Sequence, residues 1–278
     1  MASFVPSGLG WQRDLPDARD HLPTDVAELL APLKPLGERP SQADWREYLP
    51  AVDDQRDLPA GAAHACLGML QYFERRATGA VIEPSRLFIH VTSLRIAYPG
   101  EGCASLRTTW KAISRFGAVP EAHFPYEPTA IGADRCEFAY AFAREFGTLN
   151  YVRLDDREPA GDETLETVRD WLAAGFAVAF GFPVYTSITT SEEIAFPTRL
   201  DGLRGGQVVM AVGYDDKRRI RSDKGAILIR NSWGPAWGDS GYGWLPYSYV
   251  RRALAGDFWT ILKPEWITAD DFAHPPIG

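Results

Sequence analysis

Cysteine and histidine are the residue types through which this chain could carry out nucleophilic catalysis. A cysteine thiolate attacks a carbonyl carbon when a neighbouring histidine takes up the thiol proton. The chain contains Cys66, Cys103, Cys136, His21, His64, His90, His123 and His274. These residues are scattered and lack the close, repeated spacing of a zinc site. The sequence therefore predicts no metal and no other cofactor, and it leaves open whether any thiol is reactive.

The segment around Cys66 is predicted to form a helix. Asp57 is a plausible N-cap and Pro59 suits the first turn. Apolar residues then recur at helical spacing until Gly79 ends the run. Cysteine is among the residue types most often buried, so we expect Cys66 to pack in the core. A reactive thiol at Cys66 remains an alternative.

The remaining elements divide the chain into a helical part and a strand part. Residues 1 to about 50, rich in Pro, Asp and Arg, predict an extended arm around the body. Further helices are predicted over 84–98, 104–116 and 163–174, and strands over 177–185, 208–214, 226–230, 242–245 and 258–262. Helices followed by strands predict an α+β protein with two lobes.

The composition disfavours several classes of protein. The chain has 278 residues, of which 45% are hydrophobic, enough to bury a sizeable core. The net charge of −8 disfavours binding to the phosphate backbone of nucleic acids. We find neither a signal peptide nor an apolar run of membrane-spanning length. We therefore expect a cytoplasmic protein with no nucleic-acid or membrane partner.

Several motifs, in the right order, resemble the papain family (C1) of cysteine peptidases, especially its bacterial members. Residues 205–216 read GGQVVMAVGYDD and residues 226–242 read AILIRNSWGPAWGDSGY, similar to the segments that carry the family's histidine and asparagine. Residues 52–65, VDDQRDLPAGAAHA, resemble the segment that carries the nucleophile. The shorter segments EPSRLFI (83–89), GAVPEAHFPY (117–126) and GWQRDLPD (10–17) match further family motifs.

The resemblance implies a papain-like two-lobe fold, with a helical lobe, a β-barrel-like lobe and a cleft between them. We expect a single domain over 1–278. Within it we expect an arm to residue 50, a helical lobe over about 51–150, a β lobe over about 151–265 and a tail over 266–278. In the family, the nucleophilic cysteine stands at the start of the central helix, where the helix dipole and a histidine stabilise its thiolate.

At the family's catalytic positions the chain departs from the pattern. Aligned without gaps, the nucleophile position falls on Gly61 and the base position on Gln207. Asn231 stands where the family orients its histidine, and Gln55 where it supplies an oxyanion donor. Glycine has no nucleophile and an amide does not transfer protons near neutral pH. The resemblance therefore predicts an inactive pseudo-peptidase.

We expect the cleft to bind rather than cut. The predicted ligand is a peptide, a protein or a carrier-bound small molecule. The expected lining residues are Gln55, Gly61, His64, Gly206, Gln207, Asn231 and Trp233. An alternative is a repurposed enzyme that performs acyl transfer or cyclisation without a thiol. The arm lacks the long amphipathic helix of family propeptides, so we expect no segment that blocks the cleft.

Overall fold

The computed structural model describes residues 4–31, 37–97, 102–127, 136–147, 149–155 and 161–268. The helices are α1 (Ala27–Leu30), α2 (Gly61–Thr78), α3 (Arg86–Ile96), α4 (Leu106–Phe116), α5 (Cys136–Ala139), α6 (Asp162–Ala173), α7 (Ser248–Arg251) and α8 (Pro264–Ile267). The strands are β1 (Gln42–Asp44), β2 (Asn150–Arg153), β3 (Val178–Tyr185), β4 (Leu203–Ile220), β5 (Asp223–Arg230), β6 (Tyr242–Pro246) and β7 (Gly256–Leu262). His274 and most of the predicted tail lie outside the described residues.

Helix α2 is the central helix of the fold. It packs against β4 and β3 on one side and against α3 and α4 on the other. Its side chains are therefore buried almost all the way round. As predicted, it ends at Gly79, and the structure shows this glycine in the left-handed conformation with φ of 71°.

The start of α2 differs from the prediction. The helix begins at Gly61 after Ala60, with no side-chain cap, so the assignment of Asp57 as its N-cap is wrong. The amide of Ala60 instead donates to the carbonyl of Leu58 at 2.8 Å, which closes a tight turn between Asp57 and the helix.

A seven-stranded antiparallel sheet forms the second lobe. Its strand order is β2-β7-β3-β4-β5-β6, with β1 pairing to the far end of β4. All five predicted strands are present, although β4 is much longer than its predicted core. The α+β, papain-like fold class is confirmed. Strands β1 and β2 were not predicted, because three or four residues are too few to show an alternating pattern.

Parts of the predicted arm and of the predicted tail belong to the body of the protein. Strand β1 lies within the predicted arm and is part of the sheet. Trp266 and Ile267, at the start of the predicted tail, are buried, and the Trp266 ring stacks on Phe73 at 5.2 Å. The body of the protein therefore extends further toward both termini than the sequence indicated.

No helix in the described ranges is both long enough and apolar enough to cross a membrane. The cytoplasmic location and the absence of nucleic-acid partners stay predictions.

Candidate functional site

The site lies where α2 begins, between that helix and the sheet. Gly61 opens α2, Gln207 lies on β4, and Asn231 directly follows β5. The loop before α2 is joined to the sheet because the amide of Gln55 donates to the carbonyl of Ser232 at 2.8 Å. Three separate segments of the chain therefore converge at the mouth of the central helix.

Four side chains form what we call the amide cluster: Gln55, Gln207, Asn231 and Ser232. The Nε2 of Gln207 donates to the Oε1 of Gln55 and to the Oδ1 of Asn231, both at 2.9 Å. The hydroxyl of Ser232 donates to the same Gln55 oxygen at 2.5 Å. Ser232 was not singled out from the sequence.

Gly61 faces the amide cluster at close range. A Cβ atom at this position would lie 3.2 Å from the Oε1 of Gln207, 3.3 Å from the carbonyl of Val208 and 3.4 Å from the Oε1 of Gln55. These distances are tight but require only small shifts, so the site has space for a small side chain. Because residue 61 is a glycine, the start of α2 presents backbone groups and side-chain amides to the cleft, and no thiol.

Three buried polar atoms around the cluster have no hydrogen-bond partner among the described residues: the Oε1 of Gln207, the Nδ2 of Asn231 and the Nε1 of Trp233. Such atoms are uncommon in native proteins, because each one loses its interactions with water. They leave one acceptor and two donors beside the cluster.

The N-terminal arm fills the cleft in front of the amide cluster. The Nε2 of Gln55 donates to the carbonyl of Gly8 at 2.7 Å. On the opposite wall, the carbonyl of Gly206 accepts hydrogen bonds from the amides of Gly10 and Trp11, at 2.9 and 3.1 Å. The cleft walls thus bind the backbone of a peptide that belongs to the same chain.

Glycine is required at two points of this arm. Gly8 has φ of +66°, and a Cβ there would lie 2.3 Å from the carbonyl of Leu58. A Cβ on Gly10 would lie 2.4 Å from the side chain of Pro59 and 3.0 Å from that of Cys103. The arm therefore approaches the α2 mouth more closely than any side chain would allow.

Aromatic residues hold the arm on either side of these glycines. The Trp11 indole packs on Gly181 and Gly206 of the sheet, where an added Cβ would clash, and its Nε1 donates to Asp257 at 2.9 Å. At the other end, the Phe4 ring lies 5.7 Å from that of Trp233. The arm spans the whole cleft from Trp233 to Asp257.

The occupied cleft corrects two expectations. The open cleft predicted from the sequence is closed, since Gln55, Gln207 and Asn231 are 0%, 1% and 3% exposed. The expectation that no segment blocks the cleft is also wrong. The covering segment is extended and rich in glycine, so it lacks the helical periodicity of the family's propeptides. The motif over 10–17 indicated the family, but it did not indicate that this segment lies in the cleft.

His64 is the predicted cleft residue that lies at the edge of the site, where it lines a very small cavity with Asn231 and Ser232. It is buried within the first turn of α2 and makes no hydrogen bond with the amide cluster. It also lines a larger cavity on the other side of the 53–56 loop, because position 64 is nearly one turn beyond Gly61. The structure brings the other six predicted residues, including Gly206 and Trp233, together with the arm.

Cys66 lies in the core, as expected. Its side chain has no exposed surface, and burial raises the pKa of the thiol well above its ordinary value. Cys103 is half-buried beside Gly10. The side chain of Cys136 lies outside the described residues.

Cys66 should resist iodoacetamide in the folded protein. A buried thiol of raised pKa offers neither access nor thiolate, so modification at pH 8 should await unfolding in guanidinium. Peptide mass spectrometry before and after unfolding would measure this. Rapid labelling of Cys66 in the native protein would support the alternative of a reactive thiol.

Comparisons with known proteins show the family and the fold. The family model for papain family cysteine proteases matches residues 39–251. An uncharacterised peptidase C1-like protein of Acanthamoeba polyphaga mimivirus is 33% identical over 280 residues, covering 93% of this chain and 88% of the viral protein. Digestive cysteine proteinase 3 of Homarus americanus is 29% identical over 216 residues, covering 74% of this chain and 61% of that protein.

Among solved structures, xylellain, a cysteine protease from Xylella fastidiosa, superposes with a TM-score of 0.73 at 30% identity. The match covers 92% of this chain and 96% of xylellain. The family model alone covers most of the chain, from the end of the arm through α7. The chain therefore belongs to the papain family of cysteine proteases.

Proposed function

We propose that this protein is a catalytically inactive member of its family that binds a peptide segment in the interlobe cleft. The segment could belong to a free peptide, a partner protein or a carrier that bears a small molecule. In the resting state the protein's own arm occupies the site. A ligand binds by displacing the arm, and the protein acts as a scaffold or a shield. We place this role in the cytoplasm.

The observation that carries the proposal is the set of backbone contacts in the cleft. The carbonyl of Gly8 accepts from Gln55 at 2.7 Å, and the carbonyl of Gly206 accepts from the amides of Gly10 and Trp11. Backbone contacts of this kind give affinity for an extended peptide largely independent of its sequence, and side-chain pockets add selectivity. Trp233 and the Gly181–Gly206 surface, which hold Phe4 and Trp11, are the pockets that the arm uses.

The chemistry at the α2 mouth supports an inactive protein. The amide of Gln207 is the group nearest to Gly61, and neither residue attacks a carbonyl or transfers a proton near neutral pH. When a nucleophile and a base act together, removing one of them lowers the catalytic rate about as much as removing both. Because both positions differ here, we expect no peptide hydrolysis by the cysteine–histidine mechanism of the family.

Incubation with a mixed library of fluorogenic peptides and with an epoxide probe for reactive thiols tests this proposal. We expect neither turnover nor labelling, while an active papain-type peptidase cleaves the same library as the positive control. Saturable turnover that a thiol-directed inhibitor abolishes would overturn the proposal.

The second candidate is an enzyme that works without a thiol, by acyl transfer or cyclisation. The observation that favours it is the unpartnered Oε1 of Gln207, which points toward the space in front of Gly61. Preorganised amides can stabilise charge that develops on a reacting group. Turnover of a small molecule that Gln207→Ala abolishes, and that Gln42→Ala on exposed β1 leaves unchanged, would favour this candidate.

A further inference from the structure

A buried cluster of charged side chains joins the N-terminal arm to the sheet. Four carboxylates and two guanidinium groups form this set, which we call the arm–sheet cluster: Asp14 and Asp20 of the arm, with Arg107, Arg153, Asp155 and Asp257 of the body. None of the six side chains is more than 11% exposed, so their charges interact with little screening by water.

Asp257, on β7, is the member of the cluster that holds the arm most directly. Its Oδ2 accepts hydrogen bonds from the Nε1 of Trp11 at 2.9 Å and from the amide of Asp14 at 3.0 Å. Its Oδ1 accepts from the Nη2 of Arg153 at 3.3 Å. The arm cannot leave the cleft without breaking two of these contacts. The environment of the Asp257 carboxyl group is therefore coupled to the position of the arm.

The two arginines serve all four carboxylates. Asp20 binds Arg107 through both of its oxygens, at 2.8 and 2.6 Å, and also lies 3.5 Å from Arg153. Asp14 accepts from the amide of Arg107 at 3.0 Å, and its Oδ1 lies 3.4 Å from the Nη1 of the same residue. Asp155 pairs with Arg153 at 3.1 Å. Each cation is thus shared between at least two carboxylates.

The cluster holds more negative than positive charge. Four ionised carboxylates and two guanidinium groups give a net charge of −2. Strand β3 pairs with β7 through Ala179 and Gly181, which carry no charge. Arg13 of the arm is exposed and binds backbone carbonyls. Closing the arm brings the charge of Asp14 next to Asp257, and buried like charges favour uptake of a proton.

Asp257 is the group on which we expect this proton. Burial, together with the negative charges of Asp14 and Asp155, raises the pKa of Asp257 to about 7. The hydrogen bonds from Trp11 and from the amide of Asp14 oppose this change. When the arm leaves, water reaches the carboxyl group and the charge of Asp14 moves away, so the pKa falls toward its ordinary value. The closed state therefore binds the proton more tightly than the open state.

We propose that the arm–sheet cluster makes closure of the arm pH-dependent, with a proton on Asp257 favouring the closed arm in acid and its loss favouring release toward neutral pH. Solvent supplies the proton as the arm closes and takes it back as the arm opens. The stabilisation is complete below the pKa of Asp257 in the open state and is lost as the pH rises through about 7. The inference rests on the proposed function in that the arm leaves the cleft, and it makes pH a regulator of access to that site.

Amide hydrogen exchange in the full chain tests the proposal without any ligand. Gly10 and Trp11 donate their amides to the carbonyl of Gly206, so they exchange when the arm opens. Their protection is the exchange rate of an unstructured peptide at the same pH divided by the observed rate. We expect this protection to fall about tenfold between pH 5.5 and 7.5.

Asp257→Asn should abolish the fall and keep the protection high at both pH values. The asparagine side chain is neutral at every pH, and its oxygen still accepts from the arm. Asparagine also tolerates the left-handed backbone at this position, where φ is +58°. Asp14→Asn lies in the arm and tests the cluster even if Asp257→Asn disturbs folding. It removes one negative charge beside Asp257 and should make the fall smaller.

Asp17→Asn is the matched control. Asp17 is also in the arm, but its carboxylate pairs with Arg19 of the arm itself. This variant should show the same fall in protection as the wild type.

Two results would overturn the proposal: protection in the wild type that does not change with pH, and an equal fall in Asp257→Asn. Because exchange reports on the arm alone, this outcome is separate from that of the proposed function. A fall in protection without binding of any peptide supports the pH-dependent closure and contradicts the proposed role of the cleft. Peptide binding together with constant protection contradicts only the pH-dependent closure.

Discussion

Replacing Gly8 by alanine should raise the affinity of this protein for a peptide copy of residues 4–14 by about thirtyfold. The arm and the added peptide compete for the same cleft. While the arm occupies the cleft nearly all the time, the apparent affinity of a competitor is reduced by the small fraction of open molecules. A substitution that selectively destabilises the closed arm therefore strengthens binding of the competitor.

The magnitude follows from the geometry of Gly8. A left-handed conformation costs a residue with a Cβ about 1 kcal/mol, and φ at Gly8 is +66°. The new methyl group would also lie 2.3 Å from the carbonyl of Leu58 and 2.7 Å from that of Arg56, so the arm must move. A total penalty of about 2 kcal/mol corresponds to a factor of about thirty.

Fluorescence anisotropy with a labelled peptide of the wild-type arm sequence would measure this effect. Gly37→Ala is the matched control, because a Cβ there meets nothing within 4 Å and should leave the affinity unchanged. Gly10→Ala, whose Cβ would clash with Pro59, should act like Gly8→Ala. If both variants fold but bind no more peptide than the wild type, the arm is a permanent part of the structure and the cleft is not a peptide site.

The contrast between the amide cluster and the arm shows what the sequence could predict. Gln55, Gly61, Gln207 and Asn231 lie in segments whose motifs match the family closely, and a fold shared with the family brings those segments together at the mouth of α2. The central helix and the sheet were also evident, since apolar residues at helical spacing and short β-rich runs bounded by turn residues are recognisable in a sequence.

The arm could not be placed, because its contacts lie outside any periodic pattern. Gly8 and Gly10 are bound through backbone atoms. A backbone contact does not constrain the residue type, except where the close approach requires glycine. Trp11 meets Asp257 across almost the whole length of the chain. For His64, the spacing from Gly61 fixed its turn of the helix, but could not show that this turn adjoins two cavities.

Restoring the family's catalytic pair with Gly61→Cys and Gln207→His should give at most weak peptide hydrolysis in the full chain. The surroundings favour assembly of the pair itself. Asn231 already accepts a hydrogen bond from residue 207 through its Oδ1, and could orient an imidazole in the same way. A Cβ at position 61 would have no contact shorter than 3.2 Å, so a thiol can be accommodated with small shifts.

We expect the arm to limit peptide hydrolysis by this double variant. The Nε2 of Gln55, the expected oxyanion donor, is already bonded to the carbonyl of Gly8. A substrate carbonyl can reach it only after the arm leaves. Adding Gly8→Ala to the double variant should therefore increase kcat/KM by about thirtyfold, the factor expected for peptide binding. Adding Gly37→Ala instead should change nothing.

The pattern across the variants separates the causes of inactivity. Hydrolysis that is strong in the double variant and unaffected by Gly8→Ala would show that the arm does not cover the cleft in solution. If the triple variant remains inactive although the epoxide probe labels the new thiol, the turn through Pro59 and Ala60 presents that thiol to substrates at a non-productive angle. Activity that appears only after release of the arm would show that the cleft keeps the geometry of a peptidase and lacks only its two reactive groups.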